Sequence, residues 1–267
     1  MKRSSFISAI ALISVTALGL LSTGCSTMPG SDSNVDAVLT ASGLDAQLTR
    51  LQQPFPVGKT KGPTLLIPDE WLAVVNTTVA ETLKPEAIRQ DLRTVLLRDL
   101  SARELTSVQH FFESDAGKHV VALESGEQAV LSANRLPDSV LEEIVRTTGT
   151  GKAVGLLAER ALNEAVDIAI KHQCFGLDKV PFAGLLGGVM KKTQLGMLRD
   201  GVNASMYGRY ASLSEKDADA YLAFAKTAAG SKFFNARTSV LTRYAGLAGD
   251  SLSGKLTDAV SAMCNSK

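Results

Sequence analysis

The chain has 267 residues, of which 45% are hydrophobic, 21% charged and only 5% aromatic. Its formal net charge is +1, and loss of a leader that contains Lys2 and Arg3 would leave 26 basic against 27 acidic residues. Because nucleic-acid binding requires a basic face, this balance argues against nucleic acid as a partner. Frequent alanine and leucine with few aromatic residues favour an all-α fold.

Residues 1–24 are predicted to be an export signal. Lys2 and Arg3 precede an apolar run at residues 6–21, which suits a signal-peptide core and is a poor membrane span. Gly24 and Cys25 follow, and this pair resembles the lipobox of bacterial lipoproteins, in which the cysteine becomes the first mature residue and carries lipid. The resemblance implies that the chain reaches a membrane through a lipid anchor on Cys25.

The residues after Cys25 predict where the folded part lies. Ser26 is not the aspartate that resembles an inner-membrane retention signal, so we expect the outer membrane, facing the periplasm. Residues 25–34 are small and polar, and they predict a flexible tether with a reach of about 15–18 Å. Two helical halves are expected to follow, at residues 35–172 and 173–267.

Apolar spacing predicts several helices in the first half. One covers residues 35–51 and is weakened by Gly43, whereas the proline-rich residues 54–68 do not suit a regular helix. Asp69 is placed to cap the next helix, and Pro85 to open the one after it. Further on, helices are expected at residues 137–147 and 154–169, separated by Gly149 and Gly151.

A short pattern of caps and aromatic residues lies between these helices. Ser101 and Glu104 have the spacing of a capping box. Leu105, Val108, Phe111 and Phe112 then recur at helical spacing, which predicts a buried face. Ser114 or Asp115 is expected to cap a further helix running to about Asn134, and Gly117 to let that helix lie close.

The same pattern returns in the second half at a constant offset of 113 residues, which we call the repeat offset. Ser214 corresponds to Ser101, and Gly230 corresponds to Gly117. Residues 173–182 have the composition of a linker and mark the boundary between the halves. Two copies are too few for a solenoid, so we predict a helical bundle built from two related, duplicated halves. The structural anchors are Ser101, Glu104, Phe111, Phe112, Ser114 and Gly117 in the first copy, and Ser214, Asp217, Phe224, Thr227 and Gly230 in the second.

The first copy, L-S-x-x-E-L-x-x-x-x-x-F-F-x-S-x-x-G-K at Leu100 to Lys118, resembles the signature of the domain-of-unknown-function family 2059. Members of that family are exported bacterial helical domains. The resemblance implies an exported helical fold and no particular activity. The second copy departs from the signature, with Ala225 in place of the second aromatic residue and Ser231 in place of the lysine.

Cys174 and Cys264 are the two cysteines outside the signal and anchor. In the periplasm such a pair is most simply a disulfide, and closing a loop of about 90 residues would stabilise the fold by roughly 4–5 kcal/mol. A metal site that includes His172 and Cys174, or a free thiol, is left as an alternative. No metal site and no cofactor are assigned.

Two further motifs have both chemical and structural interpretations. Gly249 to Leu252 spells the block of the GDSL esterases, but no histidine follows His172, so a helix start capped by Asp250 or Ser251 is favoured. Gly149 to Gly155 resembles a nucleotide-binding loop but has Ala153 where a phosphate loop needs serine or threonine, so a helix break is favoured.

These patterns predict a non-enzymatic accessory or binding lipoprotein with no catalytic residue. Its partner would be an envelope protein or a hydrophobic ligand. The alternatives are a carrier that holds an acyl chain in a groove between the halves and, less favoured, a hydrolase that uses Ser251. The apolar segment from Pro181 to Met190 is interpreted as core packing or, if exposed, as a contact for a partner or for lipid.

Overall fold

The computed structural model describes residues 29–51, 69–126, 135–171 and 183–265, and within these ranges it contains eleven helices and no strand. The predicted all-α fold is therefore confirmed. The helices are α1 (Pro29–Ala41), α2 (Leu44–Leu51), α3 (Asp69–Thr82), α4 (Pro85–Asp99), α5 (Ala102–Glu113), α6 (Asp115–Ser125), α7 (Asp138–Thr148), α8 (Lys152–Lys171), α9 (Ala183–Tyr210), α10 (Glu215–Ala225) and α11 (Ala228–Asn265).

Glycines in the left-handed conformation set two helix ends differently from the prediction. Gly43 has φ +66° and divides the predicted first helix into α1 and α2. Gly126 has φ +80° and caps α6, which therefore ends at Ser125 and not near Asn134. Glycine alone adopts this conformation without strain, so both helices stop there. In addition, α1 begins at Pro29, within the segment predicted to be the tether.

One continuous hydrophobic core holds the described helices together. It combines residues of the predicted first half, such as Leu39 and Leu92, with residues of the second, such as Phe233 and Leu252. The long helix α11 packs against α3, α4, α5, α7, α8 and α10. Because each fully buried leucine or phenylalanine contributes about 1.5–3 kcal/mol, this shared core fixes α11 within the rest of the fold.

The two copies of the repeated pattern have the predicted local structure. We define the first unit as residues 101–125 and the second unit as residues 214–238. In the first unit, the Ser101 hydroxyl accepts a hydrogen bond from the Glu104 amide while the Glu104 carboxylate accepts one from the Ser101 amide at 2.8 Å, which confirms the capping box. In the second, the Ser214 hydroxyl accepts from the Asp217 amide at 3.1 Å. The units meet through α6 on α10 and α11 on α5.

Candidate functional site

Glu124, near the end of α6, carries a buried carboxylate and is only 3% exposed. Its Oε1 accepts hydrogen bonds from the phenols of Tyr210 (2.5 Å) and Tyr221 (3.0 Å). Its Oε2 accepts from Gln47 Nε2 (2.8 Å) and Arg237 Nη1 (3.0 Å). A carboxylate offers about four acceptor positions, so these four donors occupy them all.

Arg237 supplies the positive charge that balances Glu124. It comes from α11 and is 5% exposed, and its Nη2 also donates to the hydroxyl of Thr150 at 3.3 Å. The guanidinium lies over the ring of Phe234, 4.8 Å from the ring centroid, which adds a cation–π contact. A charge pair removed from water requires such additional partners to offset its desolvation.

The loop between α7 and α8 places Thr150 in this group. Gly149 and Gly151 on either side of it have φ of +65° and +84°, and a side chain at these positions would meet Thr238 and Met206 respectively. The Thr150 hydroxyl lies 2.7 Å from that of Thr148 and 3.1 Å from the phenol of Tyr210. The glycine-rich segment is thus a helix break, as favoured from the sequence. Its threonine takes part in a network of side-chain hydrogen bonds within the chain.

We call these six residues the Glu124 network: Gln47, Glu124, Thr150, Tyr210, Tyr221 and Arg237. Burial, and then the charge of Glu124, raises the pKa of both the Tyr210 and Tyr221 phenols well above the ordinary value. Burial alone would lower the pKa of Arg237, but the charge and the hydrogen bond of Glu124 outweigh it, and the pKa lies above its ordinary value. The phenols therefore keep their protons and Arg237 keeps its charge at physiological pH.

Two contacts between a basic and an acidic side chain join the two units near the protein surface. His119 of α6 lies 2.9 Å from the carboxylate of Asp217, the residue that helps cap α10. Lys232 of α11 lies 2.7 Å from the carboxylate of Glu104, the residue that caps α5. In each pair a basic residue of one unit reaches the capping carboxylate of the other unit.

The two units have matching turns between their helices, which we call the corners: Phe111 to Gly117 between α5 and α6, and Phe224 to Gly230 between α10 and α11. The Ser114 hydroxyl donates to the Phe111 carbonyl at 2.6 Å and accepts from the Gly117 amide at 3.2 Å. Thr227 makes the equivalent bonds, to the Phe224 carbonyl at 2.7 Å and from the Gly230 amide at 3.0 Å. These bonds confirm Ser114 as the cap of α6, and they give Thr227 the same role at the start of α11.

The buried face predicted for the first unit is confirmed in most positions. Leu105, Val108 and Phe112 are buried, and Phe111 is half-buried. A side chain at Gly117 would come within 2.0 Å of the Phe111 carbonyl oxygen, and one at Gly230 within 2.1 Å of that of Phe224. The close approach predicted for Gly117 is therefore confirmed.

The structure places Ser251 and Asp250 differently from the sequence interpretation. Both lie inside α11, so the expectation that either one caps a helix start is wrong. Asp250 instead pairs with Arg160 of α8. Of the histidines that the structure describes, His119 is bound to Asp217 and His110 is exposed on α5, and neither is hydrogen bonded to Ser251.

Several predicted residues lie outside the described part of the chain. These are the signal, Cys25 and most of the tether, together with His172 and Cys174. The side chain of Cys264 and those of the apolar segment at residues 183–190 are likewise not described, although these residues lie in α11 and α9. The disulfide and the role of the apolar segment therefore stay predictions.

The sequence interpretation missed the Glu124 network. Nothing in the spacing of the buried Tyr210 or of the partly buried Gln47 marks them as partners of a buried carboxylate. One signal was present: Glu124 follows Val120 and Leu123 on an otherwise apolar face, and the residue at the repeat offset from it is Arg237. Opposite charges at matching positions of two apolar faces indicate a buried pair if those faces meet.

Within the described residues, no group of histidine, cysteine and acidic side chains has the arrangement of a metal site. Among the same residues, no helix has the length and apolar character needed to cross a membrane. Comparison of the chain with protein-family models, curated proteins and solved structures gives no match.

Proposed function

We propose that the chain is a bacterial envelope lipoprotein of non-enzymatic accessory or binding type, held by lipid on Cys25 at the periplasmic face of the outer membrane. The basic start, the apolar run and the Gly24–Cys25 pair support the anchor. A multiply acylated cysteine would hold the protein firmly, since each buried CH2 group contributes about 0.8 kcal/mol. Ser26 after the cysteine favours the outer membrane.

The proposal includes the duplication of the helical unit and membership of the exported helical family 2059. Support for duplication comes from the matching corners, where the two hydroxyl bonds are 2.6 and 3.2 Å long at Ser114 and 2.7 and 3.0 Å long at Thr227. The family resemblance is supported by the structural roles of its signature residues. Ser101 and Glu104 cap α5, Ser114 caps α6, and Gly117 packs on a backbone carbonyl.

The observation that favours a non-enzymatic role is the saturation of the Glu124 network. A general base needs a free acceptor that a substrate proton can reach. Glu124 is 3% exposed and both of its oxygens already accept two hydrogen bonds. The buried phenols donate to Glu124 and the guanidinium is paired, so this buried cluster of ionisable groups is used for structure.

An acyl-chain carrier would need a groove between the two halves. Where the first and second units meet, that space is filled by aromatic rings, with the centroids of Phe111 and Phe224 4.0 Å apart. The rings favour a binding role at an outer surface of the protein over one in its interior. Extraction of the purified protein with organic solvent and mass analysis would show bound acyl chains if the carrier alternative is correct.

The anchor is tested by growing cells that express the full chain with labelled palmitate and then separating their membranes. We expect label on the wild-type protein in the outer-membrane fraction and none on a Cys25→Ser variant. Cys264→Ser is the matched control and should keep the label. A Ser26→Asp variant should keep the label and move to the inner membrane. Label on Cys25→Ser, or an unlabelled wild-type protein, would refute the lipid anchor.

The binding role is tested by crosslinking in intact cells. A photoreactive amino acid is placed at Leu247, which is 50% exposed on α11. The matched control carries it at Leu252, which is fully buried on the same helix. We expect crosslinks to a discrete envelope protein from exposed positions and none from Leu252. If a set of exposed positions covering α4, α5, α7 and α11 yields no crosslinked partner, the binding role is wrong.

A further inference from the structure

We infer that the first and second units pack about an internal two-fold axis, so that equivalent surfaces of the two units face each other within one chain. The protein would then contain, within one chain, the interface of a fused homodimer. This inference rests on the duplicated architecture proposed above and not on the lipid anchor.

The contacts of the two capping carboxylates with Lys232 and His119 show the reciprocity that a two-fold axis requires. In such an interface, if position i of one unit contacts position j of the other, then j must also contact i. Glu104 and Asp217 are equivalent positions, as are His119 and Lys232, because the repeat offset separates the members of each pair. Glu104 binds Lys232, and Asp217 binds His119, so the same two positions meet twice.

Positions that lie on a two-fold axis must contact their own equivalents, and two such contacts are present. Phe111 stacks on Phe224, with ring planes 4° from parallel. Glu124 pairs with Arg237 at 3.0 Å. The two members of each pair are again separated by the repeat offset. A similarity confined to helix caps would not place two contacts between residues at the repeat offset, and it would not relate the Glu104–Lys232 and Asp217–His119 contacts to each other by the same offset.

The packing of whole helices agrees with this arrangement. The second helix of the first unit, α6, packs on the first helix of the second unit, α10. Correspondingly, the second helix of the second unit, the start of α11, packs on α5. Exchange of the units therefore leaves the pattern of helix contacts unchanged.

The charge pair on the axis makes the two copies complementary. Two identical first units would bring Glu124 against Glu124, and two identical second units would bring Arg237 against Arg237. Like charges at a buried contact are strongly unfavourable, so the present residues favour the pairing of a first unit with a second. Glu124 and Arg237 are thus the residues that determine which units pair.

The two-fold arrangement predicts that the contacts of one capping carboxylate can be converted into those of the other. Glu104 is held by Lys232, by the Ser101 amide and by the Ser101 hydroxyl, and these contacts lower the pKa of Glu104 to about 2. A His119→Lys and Asp217→Glu double variant would place the same residue types around Ser214. His119 is exposed and Asp217 is partly exposed, and the variant keeps a basic and an acidic side chain at these positions, so it should fold as the wild-type chain does.

The test is an NMR titration of the side-chain carboxyls in the full mature chain with this double substitution. We expect the carboxyl at position 217 to titrate with that of Glu104, well below its ordinary value of 4.5. The matched control combines His119→Ala with Asp217→Glu, and its carboxyl should titrate higher because the lysine is missing. Equal titration of position 217 in both variants, or an ordinary pKa for Glu104 itself, would overturn the inference. Failure of the palmitate experiment would leave it standing.

Discussion

Phe111 and Phe224 stack face to face, with ring centroids 4.0 Å apart. Each comes from the same position of its unit, and each lies three residues before the hydroxyl residue that caps the next helix. Aromatic residues make up only 5% of the chain, yet a continuous cluster of them lies at this contact. The other rings of the cluster are Phe112, Tyr210, Tyr221, Phe233 and Phe234.

Removal of either ring should weaken the contact between the units. Phe224 is 7% exposed, so Phe224→Ala is expected to cost about 3–5 kcal/mol of unfolding free energy. Phe111→Ala should cost less because this ring is half-buried. The double variant should lose about 0.5–1.5 kcal/mol less than the two single losses together, since an aromatic pair contributes that amount beyond burial.

Urea denaturation followed by circular dichroism measures these losses. Phe111→Leu serves as a control that keeps apolar volume but removes the stacking. Strict additivity of Phe111→Ala and Phe224→Ala would show that the two rings do not stabilise one another.

Local features of the fold could be predicted from the sequence. The caps Ser101, Ser114 and Ser214 bond to nearby amides of the helices that they begin, so their spacing alone identifies them. Pro85 opens α4 as expected because its missing amide proton and fixed φ suit that position. The serine and threonine caps of the repeated pattern can be predicted for the same reason, since they too form local bonds.

Features that depend on tertiary contact could not be predicted. Gly126 ends α6 where the Arg50 guanidinium lies, and no residue near Gly126 in the sequence indicates that contact. The sequence of α11 around Asp250 looks like a helix start, but contacts with α3, α4 and α8 keep the helix continuous through it. The Glu124 network joins α2, α6, α9, α10 and α11 with the loop before α8, so it exists only after folding.

Loss of one charge from the Glu124 network should be far more damaging than loss of both. Arg237→Met leaves Glu124 buried without its cation, and we expect a loss of about 3–5 kcal/mol. A second variant combines Glu124→Leu, Arg237→Met, Tyr210→Phe and Tyr221→Phe. It removes both charges and also the two phenol hydroxyls that donate hydrogen bonds to Glu124. It should recover most of that loss, because well-packed apolar groups often replace a buried ion pair without cost.

Thermal and urea unfolding of these two variants test the prediction. A control, Arg243→Met, removes an exposed arginine of α11 that pairs with Asp91, and it should cost at most about 1 kcal/mol. If the single Arg237→Met change costs no more than this control, Arg237 does not neutralise a buried Glu124 carboxylate.

Glycine substitutions should distinguish the corners from ordinary helix positions. Gly117→Ala and Gly230→Ala would each place a methyl group about 2 Å from a backbone carbonyl oxygen, closer than any relaxed contact. We expect each to cost at least about 1–3 kcal/mol, the usual penalty of overpacking. Gly208→Ala in α9 has nothing within 4 Å and should stabilise the protein by about 0.5–1 kcal/mol, as alanine does in helices. Equal changes in unfolding free energy for all three variants would contradict the assigned corner geometry.

Acid should weaken the fold through the capping carboxylates. Hydrogen bonds from Lys232 and from the Ser101 amide and hydroxyl hold the pKa of Glu104 at about 2, below its ordinary value of 4.5. The unfolded chain therefore binds a proton at this residue over a range of pH in which the folded chain does not. The contribution of Glu104 to stability is thus fully present above about pH 4.5 and is lost as the pH falls towards 2. Burial opposes the same shift at Asp217, but the bonds to His119 and Ser214 outweigh it and lower the pKa, so Asp217 should act in the same direction.

Urea unfolding of wild type and Glu104→Gln at intervals between pH 2 and 5 measures the effect, with the exposed Glu142→Gln of α7 as the control. The stability difference between wild type and Glu104→Gln should shrink as the pH is lowered. A difference that stays constant across this range would mean that the Glu104 carboxylate is not bound in its charged form.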